Sequence, residues 1–158
     1  MIPDITFEVI KKGFGHLGTA SNDKMPAHTD TLGAVVNDRK DSITFFVRKT
    51  LTKQVLSNLQ DNGKATVFIG VVSHEAYQFK GQFIEARNLT SEELEMSEKN
   101  RTNFIEVMSE MGLPKPAIER LFGVEPDTGI TIKVNEVFVQ TPGPEAGNRI
   151  DTALSLIP

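Results

Sequence analysis

Short apolar segments separated by tight polar turns run through most of this sequence and restrict the folds that it can adopt. Asn22-Asp23-Lys24 and Ser73-His74-Glu75 are two of the turns. Segments joined by turns this short pair as antiparallel neighbours, and several in succession are typical of a barrel. The segments predicted as strands are 13–21, 25–36, 42–47, 64–72, 76–86 and, later in the chain, 129–140.

The sequence also contains four helical patterns. Residues 4–13 predict a short entry helix with Ile5, Val9 and Ile10 on one side. The other predicted helices are 50–61, 90–112 and a short piece at 114–121. We therefore expect an α+β fold, a six-stranded antiparallel split β-barrel with peripheral helices. It would form one domain over residues 1–158, with a helical insertion at about 90–121.

Composition excludes several classes of function. The chain has 158 residues, a net charge of −4 and a pI near 5.4, which argues against a nucleic-acid-binding surface. It has no cysteine and no apolar run near the roughly 20 residues of a membrane span. We expect a cytoplasmic protein that binds neither membrane nor nucleic acid.

Cations cluster where the strand 42–47 meets the helix 50–61. Arg48 and Lys49 precede the helix, Lys53 lies in its first turn, and the sequence from 42 to 60 contains no acidic residue. A helix N-terminus carries partial positive charge, so each cation there is unfavourable by a few tenths to about 1 kcal/mol. A bound anion would reverse that sign, because free N–H groups, a hydroxyl of Thr50 or Thr52, and the cations together suit a phosphate. The alternative is that the lysines are ordinary solvated cations.

Two predicted strands offer side chains to a ligand on the outside of the barrel. Phe46 and Arg48 alternate with core residues and therefore point outward. Gln78 and Lys80 share one face of the strand 76–86, and Gly81 beside them indicates a bulge or a close approach. The Gln78 amide suits the edge of a heterocycle, although these side chains could simply face solvent.

The histidines do not predict a metal site. His16, His28 and His74 lie in different segments without metal-like spacing, and Asp30, two residues from His28, makes only a weak pair. No Gly-x-Ser-x-Gly elbow is present, and no residue stands out as a nucleophile or a general base.

The order of the segments resembles that of a known family. TLTKQVLSNLQDNGKATVFI (50–69), YQFKG (77–81) and VFVQTPGPEAG (137–147) are similar to segments of the pyridoxamine 5′-phosphate oxidase-like proteins, the FMN-binding split barrels. The similarity is greatest to a subgroup of flavin-nucleotide-binding proteins. It implies FMN as cofactor and a homodimer with two flavin sites at its interface.

The resemblance also implies which residues bind the flavin. The FMN phosphate would be held at the strand-to-helix junction, and the remaining residues would lie along the flavin. The phosphate residues are Arg48, Lys49, Thr50 and Lys53, and the flavin contacts are Phe46, His28, Thr29, Gln78 and Lys80.

The chain differs from the oxidases themselves. PAHTDTLGAVV (26–36) replaces their Arg-x-Val-Leu-Leu-Lys strand, and the sequence has no Trp. Oxidation of pyridoxamine phosphate is therefore not expected. The sequence favours an FMN-binding flavoprotein that oxidises or reduces a small molecule by hydride chemistry at the flavin. The alternative is a non-catalytic protein that carries a flavin or a haem-like cofactor.

Overall fold

Antiparallel strands form one curled sheet in the computed structural model of the chain, which describes residues 1–123 and 125–150. Across this part of the chain the sheet has seven strands in the order β2-β1-β5-β6-β7-β4-β3. The strands are β1 (Phe14–Ala20), β2 (Pro26–Thr31), β3 (Ala34–Val36), β4 (Ser42–Val47), β5 (Lys64–Gly70), β6 (Ala76–Asn88) and β7 (Thr128–Val139).

The connection between β2 and β3 closes the barrel. Leu32 N–H donates to the Phe46 carbonyl, and Phe46 N–H donates to the Gly33 carbonyl, both at 2.9 Å. β2 pairs with β1 whereas β3 pairs with β4, so the single strand predicted at 25–36 is wrong, and the sheet has seven strands rather than six. Gly33 makes this change of partner possible, because its φ is +128° and a Cβ there would press on the Phe46 ring.

Four α-helices accompany the sheet in the described residues: α1 (Phe7–Lys12), α2 (Lys53–Asn62), α3 (Ser91–Glu110) and α4 (Lys115–Phe122). The predicted helix at 4–13 begins as a 3₁₀ turn, Asp4–Thr6, and its inward face was partly wrong. Ile5 is 67% exposed, and Ile2 is buried with Val9 and Ile10 instead. The described helices include none that is both long and apolar enough to cross a membrane.

The barrel interior is filled by side chains that alternate along the strands. Ile43, Phe45 and Val47 of β4 have no exposed surface, as their alternation predicts. In β6 the register shifts between Lys80 and Gly81. The predicted bulge at Gly81 is therefore confirmed, and the close approach there is by the carbonyl of Lys133 in β7.

Candidate functional site

At the junction between β4 and α2, the start of α2 has no side-chain cap from the residues that the structure describes. The chain forms a 3₁₀ turn at Lys49–Leu51 and enters α2 at Lys53, with Thr52 at the N-cap position. Thr52 is buried, and its hydroxyl donates to the Lys49 carbonyl at 2.9 Å instead of accepting from a helical N–H. The first turn has no acidic residue. The first backbone N–H groups of α2 therefore have no carboxylate or hydroxyl partner in their own helix.

Exposed cations surround this helix start. Lys49, Thr50 and Lys53 are all exposed. Within the described residues, neither lysine forms an ion pair. Two ammonium groups and a hydroxyl thus lie near uncapped backbone N–H groups, which is the donor set expected for a phosphate.

Two carboxylates that are distant in sequence lie at the same junction. An Asp30 oxygen is 3.9 Å from Arg48 Nη2, and the Lys49 N–H donates to Asp127 Oδ1 at 2.8 Å. The cations are therefore partly compensated, although the sequence around them has no acid. The Arg48 side chain is only 12% exposed and pairs with Asp30, whereas Lys49 and Lys53 are exposed.

A line of paired residues crosses the outer face of the sheet from β6 to β2. Gln78 pairs with Phe68, Phe68 with His16, and His16 with Asp30. We call Gln78, Phe68, His16 and Asp30 the outer row. Three interstrand spacings separate its ends by about 14 Å. Because Asp30 contacts Arg48, the outer row connects the α2 junction to Gln78.

A second line lies beside the outer row and contains two more predicted residues. Lys80 pairs with Thr66, Thr66 with Gly18, and Gly18 with His28. The Lys80 ammonium lies 4.5 Å from the centre of the Phe138 ring. The fold thus places His28, Gln78 and Lys80 on one face of the sheet, with Arg48 beside Asp30 at its edge, although they come from separate parts of the sequence.

His16 lies in the candidate site, although it was not among the residues predicted there. Its Nδ1 is 2.9 Å from Asp30 Oδ1, and its ring centre is 6.2 Å from that of His28. The hairpin around Asn22-Asp23-Lys24 places His16 opposite Asp30, so the register of that hairpin could have identified the pair. Across the described residues, no group of three or more His, Asp or Glu side chains is placed to hold a metal.

Two predicted contacts do not face the outer row. The Phe46 ring was expected on an open outer face but has no exposed surface, because it packs against Gly33. Thr29 is paired with buried Leu17 and faces the interior, because neighbouring strand residues point to opposite sides. Its hydroxyl is buried and lacks a hydrogen-bond partner among the described residues.

Comparison with known proteins relates the chain to solved structures only. No family model and no curated protein matches the sequence. HupZ from Group A Streptococcus is 18% identical with a TM-score of 0.55, and the match covers 93% of this chain and 100% of that one. A candidate pyridoxamine 5′-phosphate oxidase from Lactobacillus delbrueckii is 15% identical with a TM-score of 0.53, covering 87% and 93%.

An F420 reductase is 12% identical with a TM-score of 0.50, and the match covers 86% of this chain and 98% of that one. At these identities the likenesses establish the fold, and the ligand has to be inferred from the residues of the chain itself.

Proposed function

We propose that this chain, which has the split-barrel fold of the pyridoxamine 5′-phosphate oxidase-like proteins, is an FMN-binding oxidoreductase of a small molecule. The proposal rests on the start of α2, which has neither a side-chain cap nor an acidic residue. Exposed Lys49 and Lys53 flank it without ion-pair partners in the described residues. The family resemblance of segments 50–69 and 77–81 supports FMN as the ligand.

The phosphate would bind at the junction between β4 and α2. Its oxygens would accept hydrogen bonds from the first N–H groups of α2, from the Thr50 hydroxyl and from the ammonium groups of Lys49 and Lys53. A phosphate monoester carries about two negative charges at neutral pH, which two lysines can balance. Arg48 would add a third cation, shared with Asp30.

The isoalloxazine would lie along the outer row. The distance of about 14 Å across the row is compatible with one ligand that extends from the junction towards Gln78. Phe68 is 40% exposed and offers a ring face for stacking, and the Gln78 amide can pair with the polar edge of a heterocycle. Lys80 and His28 would contact the same ligand from the neighbouring line.

The outer row is open to solvent in a single chain, which supports a homodimer as part of the proposal. The His16 side chain is 49% exposed, and Asp30 is 32% exposed. A second copy packed over this face would shield the flavin from water and supply further contacts. The proposal therefore includes a dimer with two flavin sites at its interface.

The bound flavin would supply the hydride chemistry, and the protein would bind and orient it. No side chain needs to act as a nucleophile in such a reaction. Asp30 contacts Nδ1 of His16, whose side chain is 49% exposed, so Nε2 would be the atom that exchanges a proton with a ligand beside the ring.

The proposal is tested by titrating the ligand-free protein with FMN and following the quenching of flavin fluorescence. We expect saturable binding with one FMN per chain, in a dimer by light scattering. NADH and NADPH are then added without oxygen: bleaching of the bound flavin identifies an oxidoreductase, whereas binding without bleaching by either donor identifies a carrier. Absence of saturable FMN binding would contradict both the oxidoreductase and the flavin carrier.

A further inference from the structure

A large apolar groove lies beside the outer row. It has a volume of about 900 Å³ and runs between the sheet and the hairpin formed by α3 and α4. We call it the α3–α4 groove. Its walls include Phe14 and Phe68 from the sheet, Met108 and Met111 from α3 and the turn after it, and Leu121 and Phe122 from α4.

The charge of the lining indicates an uncharged ligand. Lys12 is the one charged side chain among the lining residues that the structure describes, apart from His74 when protonated. Its ammonium is already 2.6 Å from a Glu8 carboxylate oxygen. A charged ligand would lose hydration in this groove without gaining a free counter-ion, whereas a neutral apolar ligand would lose little.

The aromatic side chains in the wall favour a ligand with flat rings. Phe14 stacks on Phe104 with ring centres 5.3 Å apart and an interplanar angle of 22°. Phe122 meets both rings edge-on, at 5.1 and 5.0 Å. Ring faces and edges of this kind pack well against other rings, and the Met108 thioether can adjust to their outline. The volume is within the usual range of about 300–1,000 Å³ for small-molecule sites.

The groove is continuous with the outer row. Phe68 belongs to both, and the Phe14 ring is 5.3 Å from the His16 ring. We propose that the α3–α4 groove binds a neutral, ring-containing apolar molecule. That this molecule reacts with the flavin rests on the proposed function, whereas its binding to the groove does not.

The test uses Nile red, an uncharged fused-ring dye whose fluorescence rises in apolar surroundings, with Leu121→Glu as the groove variant. Leu121 is 66% exposed, so the substitution leaves the core intact. Ile5→Glu is the matched control, since Ile5 is 67% exposed and lies outside the groove. We expect saturable dye binding by the parent and by Ile5→Glu, and binding weakened roughly tenfold or more in Leu121→Glu. If the thermal melt of Leu121→Glu shows a loss of folding, Met111→Glu, at a position 60% exposed, takes its place.

The outcomes separate this proposal from the flavin site. Lys49→Glu/Lys53→Glu should retain dye binding even where FMN binding is lost, and Leu121→Glu should retain FMN binding. Equal dye affinity in the parent and Leu121→Glu, or no binding by the parent, would overturn the proposal. A change from dimer to monomer in Leu121→Glu would also overturn it, because the groove would then be an interface between copies of the chain.

Discussion

Two junctions from a strand into a helix in the described residues, β4 into α2 and β6 into α3, have opposite arrangements. At α3, the Thr90 hydroxyl accepts from Glu93 N–H, and the Glu93 carboxylate accepts from Thr90 N–H. Arg87 adds two hydrogen bonds of 2.7 Å to Glu93. At α2 the cap hydroxyl is turned away, and cations replace the acids.

Under the proposed function, the difference separates a junction that is only structural from one that binds an anion. α3 satisfies the Thr90 and Glu93 N–H groups at its start with its own side chains, and its first turn carries acidic residues, so it needs no anionic ligand. α2 lacks this stabilisation, and lysines lie at its start. Positive charge at a helix N-terminus is unfavourable unless an anion is bound there. Binding sites commonly depart in this way from the arrangement that would be most stable without ligand.

The largest expected effect is at the α2 junction. Lys49→Glu/Lys53→Glu should weaken FMN binding by about 3 kcal/mol, or roughly 100-fold, since two charge-assisted contacts are lost. The free energy of unfolding without ligand should stay the same or rise slightly, because acids suit a helix start. Fluorescence titration and urea unfolding measure the two quantities. Lys11→Glu/Lys99→Glu, at exposed lysines elsewhere, should change neither by a comparable amount; a similar loss in that control would remove the site-specific interpretation.

The next effect is at the α3 junction and concerns stability alone. Glu93→Ala should lower the free energy of unfolding by about 2 kcal/mol, because Arg87 and the Thr90 N–H lose a largely buried partner. Urea denaturation measures this change, with Glu92→Ala as the control at an exposed position in the same turn. FMN affinity should be unchanged. A substantial loss of FMN binding in folded Glu93→Ala would mean that the two junctions are not independent.

The contribution of Glu93 to the free energy of unfolding should also depend on pH. Hydrogen bonding from Arg87 lowers the pKa of Glu93 despite the opposing effect of burial. A lowered folded-state pKa stabilises the protein fully above the ordinary carboxyl pKa, and that stability is lost as the pH falls through the folded-state value. The difference in unfolding free energy between parent and Glu93→Ala should therefore shrink in acid.

A smaller stability effect is expected from the cap itself. Thr90→Ala should cost about 1 kcal/mol of unfolding free energy, because Glu93 N–H loses its acceptor. Thr90→Ser keeps the hydroxyl and should stay near the parent in the same urea unfolding experiment. Equal losses in both variants would show that the methyl group, not the cap, is responsible.

The smallest effect is an increase in affinity. Asp127→Asn keeps an oxygen for the Lys49 N–H but removes a negative charge from the α2 junction. FMN binding should strengthen by about 0.5 kcal/mol, or roughly twofold, through reduced repulsion, and the gain should fade at high salt. Asp38→Asn, at an exposed position outside the site, is the control for the fluorescence titration. Weaker FMN binding in Asp127→Asn would argue against a phosphate at this junction.

The fold could be predicted from the sequence because its signals are local. The alternating pattern predicted that Ile43, Phe45 and Val47 fill the interior, and all three are buried. The solved structures confirm the split-barrel architecture. The break at Leu32–Gly33 was missed because residues 25–36 carry a continuous strand pattern. Only the pairing of that connection with Phe46 across the closed barrel shows why the strand divides.

The surroundings of the candidate site were harder to predict, because much of it comes from residues that are distant in the sequence. Asp30 and Asp127 compensate charges in a segment that has no acid of its own, and no local pattern reports them. His28 and Thr29 could have been separated by strand alternation, which puts them on opposite faces. The α3–α4 groove could not be predicted from the sequence, because Phe14, Phe68 and Phe122 line it from well-separated parts of the chain.

The central claim is that the α2 junction binds the phosphate of a flavin nucleotide. The most direct measurement compares the affinities of the ligand-free protein for FMN and for riboflavin, which lacks the phosphate, in the same fluorescence titration. We predict that FMN binds roughly 100-fold more tightly and that Lys49→Glu/Lys53→Glu abolishes this preference. Equal affinity of the parent for FMN and riboflavin, or an unchanged preference in the variant, would contradict the claim.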